Sequence, residues 1–128
     1  MVINVSKRSI YWIALITVIL DQVTKFIARK YFTVTKNTGG AFGILQSQTL
    51  FLILVSIAVA LYVIYYLNDH HYLELGFLLG GVIGNLVDRL FLGYVTDFIN
   101  LGFWPSFNIA DSFNTIAVIL LIWRFRKD

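Results

Sequence analysis

Four long apolar stretches divide the chain, near Ser9–Ala28, Gln48–Leu67, Leu73–Leu92 and Asn108–Phe125. Each is close to the ~20 residues needed to cross a hydrocarbon core. All are rich in Leu, Ile, Val and Phe, without turn residues at short intervals, so they predict helices rather than barrel strands. The intervening segments are polar. In "YFTVTKNTGGAFGILQ" (31–46), Phe32 and Val34 alternate with threonines as in a short strand, and Asn37-Thr38-Gly39-Gly40 is turn chemistry, so a small extramembrane hairpin is expected there. "NDHHY" (68–72) is a short polar turn. No internal repeat is evident. The N-terminal "MVINVSKRSIYWIALITVIL" has the basic patch and apolar core of a signal peptide. It lacks a small-x-small cleavage site and runs on into Asp21, Gln22 and Lys25, as a retained first span does.

The expected architecture is a single membrane domain over 1–128, mainly α and integral to the membrane. It has four transmembrane helices and puts the connectors 29–47 and 93–107 on the side opposite the termini. Composition agrees: apolar residues make up 59% of the chain and charged ones 13%, against soluble averages of roughly half and a quarter. The net charge of +3 does not indicate nucleic acid, because the basic residues sit mainly at the two ends and in one loop. Lys7, Arg8, Arg124, Arg126 and Lys127 flank the terminal side, and Arg29, Lys30, Lys36 and Arg89 lie toward the other. That asymmetry favours cytoplasmic termini. The absence of cysteine excludes disulfides, thiolate chemistry and Cys-ligated metals.

Polar residues within the spans are not scattered. Asp21 and Lys25 lie late in the first span, Asn85, Asp88 and Arg89 late in the third, and Asp111 early in the fourth. Odd spans end where even spans begin, so all of them gather at one end of the bundle. Asp21 lies roughly 18 Å along the helix from Ser9, at a depth where an unpaired charge costs at least a few kcal/mol. Asp21 and Lys25, spaced i,i+4, form an ion pair on one helix face. Asn85, Asp88 and Arg89 supply polar glue between helices, with Arg89 also suited to hold a substrate carbonyl or a lipid phosphate. Gly80, Gly81 and Gly84 predict close helix packing. His70 and His71 fall in the polar turn at the opposite end, and no metal site is expected.

Asn108 and Asp111 form an N-x-x-D start to the fourth helix, a capping box with a carboxylate near the positive end of the dipole. That does not account for Asp97. Gly102 and Pro105, between the two aspartates, let the chain double back so that Asp97 faces Asp111. Two adjacent carboxylates share one proton. One then takes a proton from water while the other gives one to a carbonyl oxygen. Peptide hydrolysis without metal or covalent nucleophile fits that pair. So does the proton relay of a small proton-coupled carrier, and a purely structural subunit is a third reading.

Four segments in order resemble the motifs of lipoprotein signal peptidase (signal peptidase II), a bacterial intramembrane aspartic protease family. They are "DQVTK" (21–25), "NTGGAFG" (37–43), "GGVIGNLVDRLFLGYVTDF" (80–98) and "FNIADS" (107–112). The resemblance implies a four-helix bundle with a small extracytoplasmic β-cradle between helices 1 and 2. It implies that Asp97 and Asp111 are the catalytic dyad, braced or surrounded by Asp21, Lys25, Asn37, Gly39, Asn85, Asp88, Arg89 and Asn108. The implied reaction removes the signal peptide of diacylglyceryl-modified prolipoproteins just before the lipidated cysteine, with no cofactor. The implied partners are those substrates, membrane lipids and globomycin-type inhibitors, and a monomer is expected. The implied location is the bacterial cytoplasmic (inner) membrane, with the site toward its outer face. Gly40 departs from the family's usual Ala, and the 98–107 connector is compact. Phe42, Phe103 and Trp104 are expected to meet acyl chains and the signal helix, or to form an interfacial belt.

Overall fold

The computed structural model describes residues 3–127. Its helices are α1 (Lys7–Tyr31), α2 (Thr49–Tyr66), α3 (Leu73–Leu92) and α4 (Ile109–Lys127). Two three-residue strands, β1 (Thr35–Asn37) and β2 (Val95–Asp97), complete the regular structure together with one short 3-10 turn. The helices follow the four apolar stretches, with α1 running on for about one turn at its C-terminal end.

Local signals set the ends. Ser6 Oγ accepts the Ser9 amide to start α1, and Arg29 and Lys30 in its last turn complement the negative end of the dipole. Gly93, at φ 80°, ends α3 in the left-handed region with its N–H on the Arg89 carbonyl, a cap that only glycine adopts without strain.

Helix α3 lies centrally, with α1, α2 and α4 packed on it. The buried face of α1 is one stripe, Ile10, Ala14, Thr17, Asp21, Lys25 and Ala28. It meets the glycines of α3. A Cβ at Gly80 would come within 2.5 Å of Thr17 Cβ, and one at Gly84 within 2.5 Å of Asp21 Oδ2. The expected close packing is therefore present, and it lets side chains of α1 reach the backbone of α3. Ile10, Ala14, Ala60, Val63, Leu67, Leu75 and Leu79 form the apolar core in the half nearer the termini. Outward faces are apolar too: Trp12, Leu50, Leu54, Leu61 and Phe91 are exposed. Helices α1, α2 and α3 are long and apolar enough to cross a membrane. Helix α4, which carries Asp111, Arg124, Arg126 and Lys127, is not among those found by composition.

The strands correct one expectation. Segment 31–46 does not fold as a hairpin on itself. β1 pairs antiparallel with β2 from the α3–α4 connector, Thr35 opposite Asp97 and Asn37 opposite Val95. A pairing over such a sequence distance leaves no mark in either three-residue strand. A second bridge, Ile99 to Phe107, closes the 98–107 loop. Gly102, at φ 85°, allows its reversal.

A second correction concerns the end of the bundle nearer the termini. Arg124 is not a flanking surface cation but is buried, paired with Glu74 and stacked on the Tyr72 ring at 3.8 Å. It also donates to Asn4 Oδ1 and the Ile3 carbonyl. The N-terminal strap is fastened to the α2–α3 turn by Val5 N–H on the His71 carbonyl at 3.0 Å.

Candidate active site

The capping box at the start of α4 is present in both directions. Asp111 N–H donates to Asn108 Oδ1 at 2.9 Å, and Asn108 N–H donates to Asp111 Oδ2 at 3.1 Å. The same asparagine reaches across with its side chain. Asn108 Nδ2 donates to Asp97 Oδ1 at 2.9 Å and to Asn85 Oδ1 at 3.1 Å. Asn85 Nδ2 in turn donates to Asp111 Oδ1 at 3.0 Å. Two asparagine carboxamides thus tie Asp97 and Asp111 to one another and to α3. Asn37 adds a donor from β1, Nδ2 to Asp97 Oδ2 at 3.1 Å.

Asp97 ends β2 and is 3% exposed. Burial, and then the Asp111 carboxylate beside it, push its carboxyl up to about 6 against the donors from Asn37 and Asn108. Both aspartates line one cavity of about 650 Å³ with Asn37, Asn85 and Arg89. The Arg89 guanidinium donates to the Gly39 carbonyl at 3.3 Å and to Ser56 Oγ at 3.4 Å. Phe42 and Trp104, from the two connectors, meet edge to face at 5.2 Å and form part of the cavity's rim. Phe103 is 84% exposed and lines no part of it.

Beneath the pair lies a buried ionic network. Lys25 Nζ contacts Asp21 Oδ2 at 2.7 Å and Asp88 Oδ2 at 3.3 Å, and donates to Asn85 Oδ1 at 3.0 Å. Asp21 Oδ1 accepts the Ala110 amide at 2.9 Å, holding the first turn of α4 against α1. Asp88 Oδ2 accepts the Thr96 amide at 2.9 Å, holding β2 against α3. One buried cation, shared by two carboxylates that each anchor a segment bearing an aspartate of the cavity, fixes where Asp97 and Asp111 stand. Asp21, Lys25, Asn85, Asp88 and Asn108 are joined in this network, and Asn37, Arg89 and, through Arg89, Gly39 adjoin it, whereas His70 and His71 lie at the other end of the bundle.

Sequence reasoning missed three contributors. Gln22 Nε2 bridges Asp21, Asp88 and the Gly84 carbonyl. Its position inside "DQVTK" was the available signal. Thr96 receives Arg29 on its hydroxyl, and Ser56 meets Arg89. No sequence signal marks either.

Apolar outward faces and an acidic pair on a cavity at one end define the class: a helical membrane protein with a buried two-carboxylate centre. A model of the family described as signal peptidase (SPase) II matches residues 13–127. The chain belongs to the signal peptidase II family. Among curated relatives, a lipoprotein signal peptidase of Caldanaerobacter subterraneus is 42% identical over 125 residues, covering 81% of this chain and 86% of its own. One of Caldicellulosiruptor bescii is 38% identical over 138 residues, covering 93% and 92%. Two bacterial membrane enzymes solved by the in meso method at 2.3 and 1.9 Å superpose with TM-scores of 0.89 and 0.85. Each is 31% identical and covers all of this chain, and the matches span 93% and 99% of those chains.

Proposed function

We propose that this protein is an aspartic endopeptidase that removes signal peptides from diacylglyceryl-modified prolipoproteins, cutting just before the lipidated cysteine. Membership of the family supports the reaction and the substrate class. The observation that carries the aspartic reading is the pair of carboxamides, Asn108 and Asn85, linking Asp97 and Asp111 on one cavity.

The dyad works with one proton between two carboxyls. The ionised member takes a proton from water as the water oxygen bonds to the carbonyl carbon before the cysteine. The protonated member gives its proton to the carbonyl oxygen, so the tetrahedral species is a neutral diol rather than an oxyanion. Collapse re-forms the carbonyl, returns a proton through the dyad to the amide nitrogen and breaks the C–N bond. The products are a carboxylic acid and the free amine of the cysteine. Asn37, Asn85 and Asn108 hold the carboxylates in register, and Arg89 faces the substrate from α3.

In this reading all four helices span the bilayer as one domain, 1–128. Helix α4 sequesters Asp111 in the site and Arg124 against Glu74, leaving Arg126 and Lys127 for the interface. The termini are cytoplasmic, and the connectors 29–47 and 93–107, with the two-stranded sheet, lie outside the bacterial inner membrane, where a lipidated cysteine sits. Lipid and a globomycin-type inhibitor compete for the same cavity, and the enzyme acts as a monomer.

A carrier using the carboxylates as a relay is not favoured. The polar centre and the Glu74–Arg124 pair lie at opposite ends of the bundle, and the apolar cluster of Ile10, Ala14, Leu75 and Leu79 fills the interior between them.

The test is cleavage of a purified diacylglyceryl-modified prolipoprotein by wild type, Asp97→Asn and Asp111→Asn, with folding followed in parallel. Loss of at least about a thousandfold in both folded variants is expected. Full-speed cleavage by either folded variant removes the dyad.

A further inference from the structure

Asn114 belongs to none of the networks described above. It lies on the stripe of α4 that faces α3, between Ala110 and Ala117, both fully buried. A Cβ added at Gly81 would collide with Asn114 Oδ1 and the Ala110 carbonyl oxygen, so the side chain presses directly on the backbone of α3. Asn114 Oδ1 is buried and has no hydrogen-bond partner among the described residues. A carboxamide kept as glue between helices pairs with the facing helix. This one does not, yet it lines the cavity that holds Asp97 and Asp111.

Its position gives the unpaired group a use. Asn114 is three residues after Asp111, about 4.5 Å further along the helix and on the same face. Helices α2 and α4 both pack on α3, and the cavity runs between them past Leu52, Val55, Val59 and Ile116. A substrate whose carbonyl reaches the dyad must have left the α-helical state there, because a helical peptide group is hydrogen-bonded along the axis and shielded. Its unwound N–H and C=O groups then lie where no water satisfies them, at a cost of several kcal/mol each. A carboxamide carries one acceptor and two donors, the complement of a peptide group.

We infer that Asn114 is a positioning residue whose carboxamide, turned about its terminal torsion so that Oδ1 leaves Gly81 for the cavity, pairs with the main chain of the bound substrate on the signal-peptide side of the scissile bond, one turn below the dyad. The inference rests on the proteolytic reading above. It makes Asn114 a reader of extended backbone rather than of any particular side chain, and it accounts for an amide that the resting protein leaves unpaired.

The test uses the full-length enzyme in detergent micelles and diacylglyceryl-modified prolipoprotein peptides. In one peptide series, each of the three amide links preceding the scissile bond is replaced in turn by an ester, removing one N–H. Asn114→Leu keeps the branched outline without its polar atoms and Asn114→Ala removes it, and thermal unfolding checks both. Expected in the folded variants are a KM raised about fivefold to tenfold with kcat little changed. At least one ester should weaken binding to wild type and make no difference to Asn114→Leu. Unchanged KM in both folded variants, or equal ester penalties in wild type and Asn114→Leu, overturns the inference while leaving the protease reading intact. A wild type that does not cut any of these peptides overturns both.

Discussion

At the scale of single residues, the chemistry turns on how Asp97 titrates. Its folded carboxyl is pushed up to about 6 from 3.8, so between those values the native protein holds a proton that the unfolded chain has released. The contribution to stability is therefore full below about pH 4 and is lost as pH rises through 6. Activity runs the other way. Below pH 6 the Asp97 carboxyl is protonated and does not accept water's proton, so kcat/KM should rise with pH through about 6. Asn37→Ala removes a donor that favours the charged form, and the limb should move to higher pH, as a pH–rate profile would show. Asp111→Asn removes the neighbouring negative charge, and the Asp97 carboxyl carbon, followed by NMR, should titrate at lower pH than in wild type. A limb that stays in place in Asn37→Ala would mean that it belongs to another group. The two aspartates were legible because each is costly where it stands and one sits in a capping pattern. What tied them together was not: Asn108 spends its backbone and Oδ1 on the cap and its Nδ2 on Asp97, and spacing alone does not show that second use.

At the scale of elements, the site is held by the contact between α1 and α3. Gly84 lets Asp21 come close enough to reach the Ala110 amide, so this glycine acts on α4 through α1. A Cβ at Gly84 would stand 2.5 Å from Asp21 Oδ2. Gly84→Ala should cost about 1–3 kcal/mol of stability and displace Asp111, lowering kcat per folded molecule, by thermal unfolding and a cleavage assay on one preparation. Full activity with reduced stability would separate the packing from the site. The opposite end makes the converse case. Glu74→Ala leaves Arg124 buried without its carboxylate and should cost about 3–5 kcal/mol, while kcat/KM of the folded fraction stays unchanged. Helices were readable because some 20 residues of unbroken apolar sequence leave few alternatives. The strand pairing of 35–37 with 95–97 was not, since three residues carry no register information and the partner is chosen by the helices that bring the connectors together. The Glu74–Arg124 pair escaped notice for a related reason: a cation near the end of a span looks like an interfacial flank until the opposing acid on another helix is located.

At the scale of the whole molecule, orientation is the property that sequence leaves most finely balanced, and the fold does not change the balance. With Arg124 withdrawn into its pair with Glu74, four basic residues remain on the terminal side, Lys7, Arg8, Arg126 and Lys127. Arg89 faces the cavity on the other side, leaving Arg29, Lys30 and Lys36 there. Contacts do not separate the sides: Arg29 donates to Thr96 and Lys36 stands over the Tyr94 ring at 5.2 Å, while Lys7 donates to Asn68 Oδ1 at 2.7 Å and Lys127 stands over the Trp123 ring at 5.2 Å. The terminal side thus keeps the same excess of one that the sequence shows, and the positive-inside rule assigns the side with the excess to the cytoplasm. The chain has no cysteine, so single substitutions report topology without background. Phe103→Cys, on the exposed connector, should react with a membrane-impermeant maleimide in intact spheroplasts. Arg126→Cys should react only after the membrane is opened. The reverse pattern would put the dyad on the cytoplasmic side, away from the leaflet where the lipidated cysteine of a translocated prolipoprotein resides. The proposed substrate could not then reach it, so labelling at these two positions tests the orientation and the function together.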